Sequence, residues 1–195
     1  MIEASPAEDA KDPGDDELVD RARAGDREAF GVLVGRYDRL VYRIVAPAGA
    51  GREDSLDLTQ TVFFKAWNAL AGFRAESSFK TWLLRIAHHE ASNRARSASR
   101  RGEETELDAE SPVQAARLAT QPEQERTLLE RERKGSLARA VRALHGRYRT
   151  ALLLRYRDGL AIREIADVLD VSETMTKNLL FRGVRHLRRA LAESA

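Results

Sequence analysis

The sequence contains no cysteine, which excludes disulfide bridges, a thiolate nucleophile and a zinc knuckle. It also lacks any apolar run near the ~20 residues that a membrane-spanning helix needs. The acidic first residues include no hydrophobic stretch of the kind found in secretory signals. No segment alternates apolar and polar residues with the period of two that is typical of strands. These absences predict an intracellular, helical protein that does not insert into membranes.

The charged residues are segregated along the chain, although the net charge is only +2. The chain has 195 residues, which are enough for one large or two small domains, and 43% of these residues are hydrophobic. Residues 74–101 hold seven bases and two acids, and residues 177–189 hold five bases and no acid. Between these segments, residues 103–126 hold seven acids and two bases. This pattern predicts two polyanion-binding surfaces and a linker, with solvated arginine-rich helices as the alternative.

The first half of the chain shows helical periodicity throughout. Asp26 is the expected N-cap of a helix that Pro47 and the following small residues end. The apolar positions of three successive helices are Phe30, Leu33, Val34, Tyr37, Val41, Ile44 and Val45; Leu58, Val62, Phe63, Ala66, Trp67 and Leu70; and Phe79, Trp82, Leu83, Ile86 and Ala87. We therefore predict a helical bundle over residues 15–101, preceded by a disordered acidic N-terminus over residues 1–14.

The second half begins with a segment that resembles a linker. Residues 102–126 hold two prolines and few large apolar groups, which favours an extended chain. Helical periodicity then resumes and continues to about Leu191. Two short helices are joined by Asp170, Val171 and Ser172, and this arrangement is typical of a helix-turn-helix. The predicted fold class is all-α, with two small helical domains joined by a flexible acidic linker and the helix-turn-helix in the C-terminal domain, residues 127–195.

The last helix has one apolar face and one basic face. Ser172 can cap it, and Thr176, Leu180, Val184 and Leu187 are predicted to face inward. Outward positions are Glu173, Thr174, Lys177, Asn178, Arg182, Arg185 and Arg188. Such a helix fits the major groove of DNA. Polar side chains from its first turns reach the edges of nucleobases there, and basic side chains further along the helix contact phosphates. A merely basic surface helix is the alternative.

Two sequence segments resemble the two conserved domains of bacterial sigma factors. ALLLRYRDGLAIREIADVLDVSETMTKNLLFRGVRHLRRAL is similar to their promoter-reading domain. LDLTQTVFFKAW, followed by FRAESSFKTWLLRIAHHEASNRAR, resembles the other domain and precedes it at the expected separation. Nothing like the large domain of primary sigma factors lies between them. The chain therefore resembles the compact extracytoplasmic-function (ECF) class of the sigma-70 family over residues 15–101 and 127–191.

This resemblance implies an alternative sigma factor without enzymatic activity or cofactors. It would bind the clamp helices and flap of the RNA polymerase core and direct promoter-specific initiation. It would read −35 and −10 DNA and assist strand opening, with its linker in a basic channel of the polymerase. The expected location is the cytoplasm, at the nucleoid through the polymerase, and an anti-sigma factor is a further expected partner. The alternatives are a stand-alone helix-turn-helix regulator and a sigma-like interaction protein.

The resemblance also assigns residues to three surfaces, position by position. The polymerase-binding residues would be Asp57, Leu58, Gln60 and Phe64, whereas Phe63 and Trp67 are predicted to lie in the core. The −10 DNA-binding residues would be Arg74, Glu76, Ser77, Ser78, Lys80, His88, His89, Asn93, Arg96 and Arg100. The −35 DNA-binding residues would be Ser172, Glu173, Thr174, Lys177, Asn178, Arg182 and Arg185.

Several positions depart from the family pattern. His89 and Asn93 stand where Asn and Asp are frequent, so the −10 preference is expected to differ. Asp170 replaces the usual glycine of the turn, and Ala161 replaces the usual Ser or Thr cap. Thr176 replaces an inward Val and Leu179 replaces an Arg, which predicts one lost DNA contact.

A metal site at the adjacent histidines is not expected. His88, His89 and Glu90 are consecutive, and neighbouring positions on a helix diverge by ~100°. The i, i+4 histidine pair of zincin helices is absent. The sequence therefore predicts no metal ligand set.

Overall fold

The computed structural model describes residues 13–101 and 135–192, and all the regular structure within these ranges is helical. The helices of the N-terminal unit (residues 13–101) are α1 (Asp15–Arg23), α2 (Arg27–Val45), α3 (Arg52–Ala69) and α4 (Phe79–Arg101). Those of the C-terminal unit (residues 135–192) are α5 (residues 135–143), α6 (Gly146–Leu152), α7 (Ile162–Leu169) and α8 (Glu173–Ala192). The all-α prediction is confirmed. The predicted linker and residues 1–12 of the predicted N-terminal tail lie outside the described residues.

The start of α2 follows the sequence prediction, but α1 was not predicted. The Asp26 carboxylate accepts hydrogen bonds from the backbone N–H groups of Glu28 (2.9 Å) and Ala29 (3.0 Å), as an N-cap does. Helix α1 packs on α2 through polar contacts as well as apolar ones. Asp15 accepts from Arg36 at 2.7 Å and from the Tyr37 hydroxyl. Burial and the hydrogen bond to Asp15 together raise the pKa of Tyr37.

The core of the N-terminal unit is aromatic and aliphatic. Phe30 packs edge-on against Trp67, with 5.0 Å between ring centroids. Phe63 is buried in the same cluster, while Trp67 packs against it half-buried. The predictions that Phe63 and Trp67 belong to the core are confirmed, and these contacts fix α3 against α2.

The C-terminal unit is held together by close packing between α6 and α8. Gly183 lies so near α6 that an added Cβ atom would stand 3.1 Å from Leu152 Cδ1. After α6 the chain makes one π-helical turn, Leu153–Arg157, before the loop to α7. The glycine lets two helix backbones approach closely, which places α8 across the unit.

The two units pack against each other. Leu40 of α2 and Leu84 of α4 belong to the apolar cluster of the C-terminal unit, together with Leu154, Leu160 and Ile165. Leu84 is completely buried there. An inward role for Leu84 was not predicted from the sequence, because that position is buried by the other unit and not by its own bundle.

Candidate polymerase and nucleic-acid interfaces

The turn between α7 and α8 has the geometry of a helix-turn-helix. Asp170 adopts the left-handed conformation (φ 53°, ψ 53°), which Asp tolerates better than most residues. The N–H of Val171 donates to the Ala166 carbonyl at 3.1 Å. Ser172 Oγ then accepts from the N–H of Met175 at 3.2 Å and caps α8. The predicted turn and the predicted Ser172 cap are both confirmed.

The start of α7 is only half capped. Ala161 has no side-chain acceptor for the free N–H groups of the first turn. The Glu164 carboxylate does reach back and accepts from the N–H of Ala161 at 2.7 Å. This arrangement supplies one of the two hydrogen bonds of a capping box.

Helix α8 presents one buried and one exposed face. Thr176 is fully buried, and its hydroxyl donates to the Ser172 carbonyl at 3.2 Å, which gives this polar group the partner it needs. Leu179 is also buried, so its position faces the core and not the basic face. All seven residues predicted to bind −35 DNA are exposed: Ser172, Glu173, Thr174, Lys177, Asn178, Arg182 and Arg185.

The loop before α4 is exposed and locally constrained. Ala75 has a positive φ of 55°, an uncommon conformation for a residue with a side chain. Ser78 Oγ accepts from the N–H of Thr81 at 3.2 Å and so fixes the loop to the first turn of α4. Arg74, Glu76 and Ser78 are exposed and Ser77 is partly exposed. These side chains are accessible on a backbone that is held in place.

The structure divides the predicted −10 residues of α4 into two groups. His89, Asn93, Arg96 and Arg100 are exposed, and the last three share an open surface near the C-terminal end of α4. Lys80 and His88 instead face the C-terminal unit. Lys80 Nζ donates to the backbone carbonyl of Asp158 at 3.0 Å.

His88 lines a cavity of about 280 Å³ between the two units. Burial lowers the pKa of His88, and the neighbouring His89 and Arg147 lower it further, while Asp170 opposes them. Its imidazole is therefore easier to deprotonate than that of an exposed histidine.

The predicted polymerase-binding residues lie on one side of α3. Asp57 and Gln60 are exposed, and Phe64 is 68% exposed. Their spacing of three and four residues places them on one helix face. Leu58 is partly buried and packs against the core of the N-terminal unit. An exposed phenylalanine beside polar groups is a feature of protein-binding surfaces.

Two other kinds of feature are absent from the described residues. Within residues 13–101 and 135–192, no group of three His, Cys, Asp or Glu side chains is placed to hold a metal ion. In the same ranges, no helix is long and apolar enough to cross a membrane.

Comparison with known proteins identifies the family. The model of sigma-70 region 2 matches residues 33–101, and the model of sigma-70 region 4 matches residues 134–187. The RNA polymerase sigma-H factor of Pseudomonas aeruginosa is 31% identical, over 91% of this chain and 93% of that protein. The ECF RNA polymerase sigma-E factor of Escherichia coli is 34% identical, over 86% of this chain and 89% of that protein. The chain belongs to the ECF sigma factors of the sigma-70 family.

A solved structure supports the fold of this sigma factor. The sigma factor RpoE of Bartonella quintana, in complex with the anti-sigma factor NepR, matches with a TM-score of 0.66 at 20% identity. The match covers 84% of this chain and 96% of that one.

Family membership establishes the function at the level of the class. The protein is an alternative sigma factor that binds RNA polymerase core in the cytoplasm and directs promoter-specific transcription initiation. It is an initiation factor and not an enzyme. The stand-alone regulator is set aside, because the match includes region 2 as well as the helix-turn-helix.

Proposed function

We propose that three separate surfaces of this sigma factor bind the polymerase, the −10 element and the −35 element. The face of α3 with Asp57, Gln60 and Phe64 binds the polymerase clamp. The loop at Arg74–Ser78 and the exposed face of α4 read the −10 element and hold the melted strand. Helix α8 reads the −35 element. The functional domains extend over residues 15–101 and 127–195, and through the polymerase the protein is located at the nucleoid.

The orientation of α8 carries the −35 assignment. Seven polar or charged residues are exposed along one face, and Thr176, Leu179, Leu180 and Gly183 are buried on the other. Lys177, Arg182 and Arg185 supply three positive charges for phosphates. Asn178 is near the N-terminal turns, where side chains of recognition helices reach base edges.

Two properties of the N-terminal unit support the −10 assignment. Ser77 is partly exposed on a loop backbone that Ser78 fixes to the first turn of α4, an arrangement that suits hydrogen bonding to an unstacked base. Arg96 and Arg100 lie on the same open surface of α4, where their positive charges can contact the phosphates of a single strand. Arg96 also donates to Asn93 Oδ1 at 2.7 Å, which orients both side chains.

An anti-sigma factor is a proposed partner. The structural relative from Bartonella quintana was solved with such a protein bound. The exposed Phe64 provides an apolar contact that a competitor of the polymerase could cover. Restraint of this kind predicts that target transcription rises when the sigma factor is expressed without the partner.

Salt titration of variant holoenzymes tests the −35 assignment. Promoter fragments selected by the reconstituted holoenzyme serve as matched DNA, and the same fragments with a scrambled −35 element serve as mismatched DNA. Arg182→Ala should weaken binding to both and lower the salt slope by about one, because a lost phosphate contact is blind to sequence. Asn178→Ala should reduce discrimination by ~1–3 kcal/mol with little change in slope, because a base contact is lost.

Arg39→Ala is the matched control, since Arg39 is exposed on α2, outside all three proposed surfaces. It should leave both slope and discrimination unchanged. If Arg182→Ala and Asn178→Ala also behave like the parent, α8 is not the reader of −35 DNA.

A further inference from the structure

The cavity between the two units lies where the end of α2, the middle of α4 and the start of α6 meet. Its volume of about 280 Å³ is near the lower end of the range of small-molecule pockets. One wall belongs to the N-terminal unit and the other to the C-terminal unit. A molecule that filled the cavity would therefore contact both units.

The polar side of the cavity is cationic. Arg147 and Arg149 line it from α6, His145 lies just before them, and His88 lines it from α4. None of the described residues that line the cavity is acidic. Groups that carry or can acquire a positive charge thus share one small volume without a carboxylate among them. This composition produces a positive potential, which attracts anions.

The surroundings of Arg149 show that this charge is not neutralised by the described residues. Its guanidinium is partly buried, and burial lowers the pKa of Arg149. Nη1 donates to the backbone carbonyl of Arg142 at 3.0 Å, which holds the side chain in place. Within residues 13–101 and 135–192, no carboxylate pairs with Arg147 or Arg149. A partly buried guanidinium is costly without an anionic partner, so an anion in the cavity would be stabilising.

The electrostatic surroundings of His88 lead to the same conclusion. Burial lowers the pKa of His88, and His89 and Arg147 lower it further, while Asp170 of the helix-turn-helix opposes them. An anion in the cavity would reverse this shift, because it would favour the protonated imidazole. His88 would then become a further cationic partner of the anion.

The other side of the cavity is apolar. Ile44 and Pro47 line it from the end of α2 and the following turn, and Ala91 and Ala95 line it from α4. The alanines leave room for a flat group because each side chain is a single methyl group. Ser92, which follows Ala91, adds a hydroxyl to the same wall. A phosphate alone would leave the apolar wall in contact with water, whereas a phosphate joined to a nucleobase would cover it.

We propose that this cavity binds a phosphorylated small molecule of the nucleotide type, with its phosphates at Arg147 and Arg149 and its base against Ile44, Ala91 and Ala95. Arginine suits this role because its planar guanidinium donates paired hydrogen bonds to phosphate oxygens. The inference goes beyond the proposed promoter contacts and does not rest on them. Binding of such a ligand would stabilise the folded protein, and the effect would grow with the ligand concentration.

Calorimetric titration of the full-length protein with adenosine diphosphate tests the site. Arg149→Gln should weaken binding by at least about tenfold, because a charge-assisted hydrogen bond is lost. Arg147→Ala, at an exposed position where truncation leaves the fold intact, should weaken binding as well. Arg139→Ala is the matched control, since Arg139 is exposed on α5, carries the same charge and does not line the cavity. This control should bind the probe like the parent.

A second pair of variants separates charge from size. Ala95 is exposed at the edge of the cavity. Ala95→Glu adds a negative charge there and should weaken the binding of pyrophosphate by at least about threefold, because like charges repel. Ala95→Gln is nearly the same size and should bind pyrophosphate like the parent. Bound pyrophosphate should also raise the pKa of His88, followed by NMR, and leave the imidazole signals of His186 unchanged, since His186 does not line this cavity.

The outcomes distinguish a nucleotide site from other uses of the same cations. Absence of binding by both probes overturns the proposal. Binding that Arg149→Gln, Arg147→Ala and Ala95→Glu all leave unchanged lies elsewhere and also overturns it. Equal affinity for adenosine diphosphate and pyrophosphate overturns the contact with a base. If the variants weaken binding only to duplex DNA of scrambled sequence, the cations contact DNA phosphates and the small-molecule site is rejected.

Discussion

At the scale of single residues, two adjacent phenylalanines on α3 have opposite environments. Phe63 is 7% exposed within the core, whereas Phe64 is 68% exposed beside Asp57 and Gln60. A one-residue step along a helix rotates a side chain by ~100°, which explains the difference. Substitutions at these two positions should therefore separate effects on stability from effects on polymerase binding.

We expect Phe64→Ala to weaken association with core polymerase by about tenfold or more, because exposed aromatic residues are frequent interface anchors. Its melting temperature should match that of the parent. Phe63→Ala should lower the free energy of unfolding by ~3–5 kcal/mol through cavity formation. Competition binding to core polymerase and thermal melts check both effects. If Phe64→Ala binds core polymerase as tightly as the parent, Phe64 does not belong to the polymerase-binding surface.

At the scale of elements, the incomplete cap of α7 predicts a stabilising substitution. Ala161 has extended backbone angles (φ −68°, ψ 158°), which suit an N-cap. In Ala161→Ser, the new hydroxyl should accept the N–H of Glu164 and complete the capping box. The free energy of unfolding should rise by ~0.5–2 kcal/mol, measured by denaturant titration.

Ala161→Val is the control for this gain, because valine adds side-chain volume without an acceptor. The free energies of unfolding of the two variants should differ by about the contribution of one N-cap hydrogen bond. Equal stability of the serine and valine variants would show that the hydroxyl makes no hydrogen bond.

Local signals in the sequence were sufficient for most elements. The Asp26 cap, the Ser172 cap and the left-handed Asp170 follow from the chemistry of a few neighbouring residues, and all three are present. The exposed face of α8 follows from helical periodicity. In these cases the determining contacts lie within one or two helical turns.

The features missed by sequence reasoning depend on distant contacts. Helix α1 is held by the buried Leu18, Val19 and Ala22 and by Asp15, whose partners Arg36 and Tyr37 lie on the next helix. Leu84 is buried by the C-terminal unit. The helical periodicity of α4 cannot predict this contact, because the residues that cover Leu84 lie far along the chain. For the same reason Lys80 and His88 were placed with the other −10 residues, although Asp158 and the interdomain cavity engage them here.

At the scale of the whole molecule, the partly buried position of His88 between the two units predicts pH-dependent docking. Burial and the charges of His89 and Arg147 lower its pKa when the units are docked, against the opposing effect of Asp170. His145 and Arg149 line the same cavity. A proton therefore binds more readily to the separated form. Docking should be fully favoured above the ordinary histidine pKa of about 6.5 and should weaken as pH falls below it.

Energy transfer between one dye on each unit of the full-length protein, introduced through Asn68→Cys and Ala192→Cys, provides the measurement. Energy transfer should fall between pH 7.5 and pH 5.5, and His88→Gln should reduce this fall because its side chain does not titrate. If the pH dependence is identical in both proteins, another group is responsible and His88 has no part in it.

The close approach of Gly183 to Leu152 has a consequence for how promoter preference can change. An added methyl group at residue 183 would stand 3.1 Å from Leu152 Cδ1, so the Leu152 side chain or α8 itself would have to give by a few tenths of an ångström. Relief of this contact by a tilt of α8 would displace Glu173, ten residues and about 15 Å along the helix axis from Gly183, and with it the surface proposed to read −35 DNA. A regulon could therefore diverge through a mutation that touches no nucleotide. A substitution at residue 183 is therefore expected to change promoter specificity without contacting DNA.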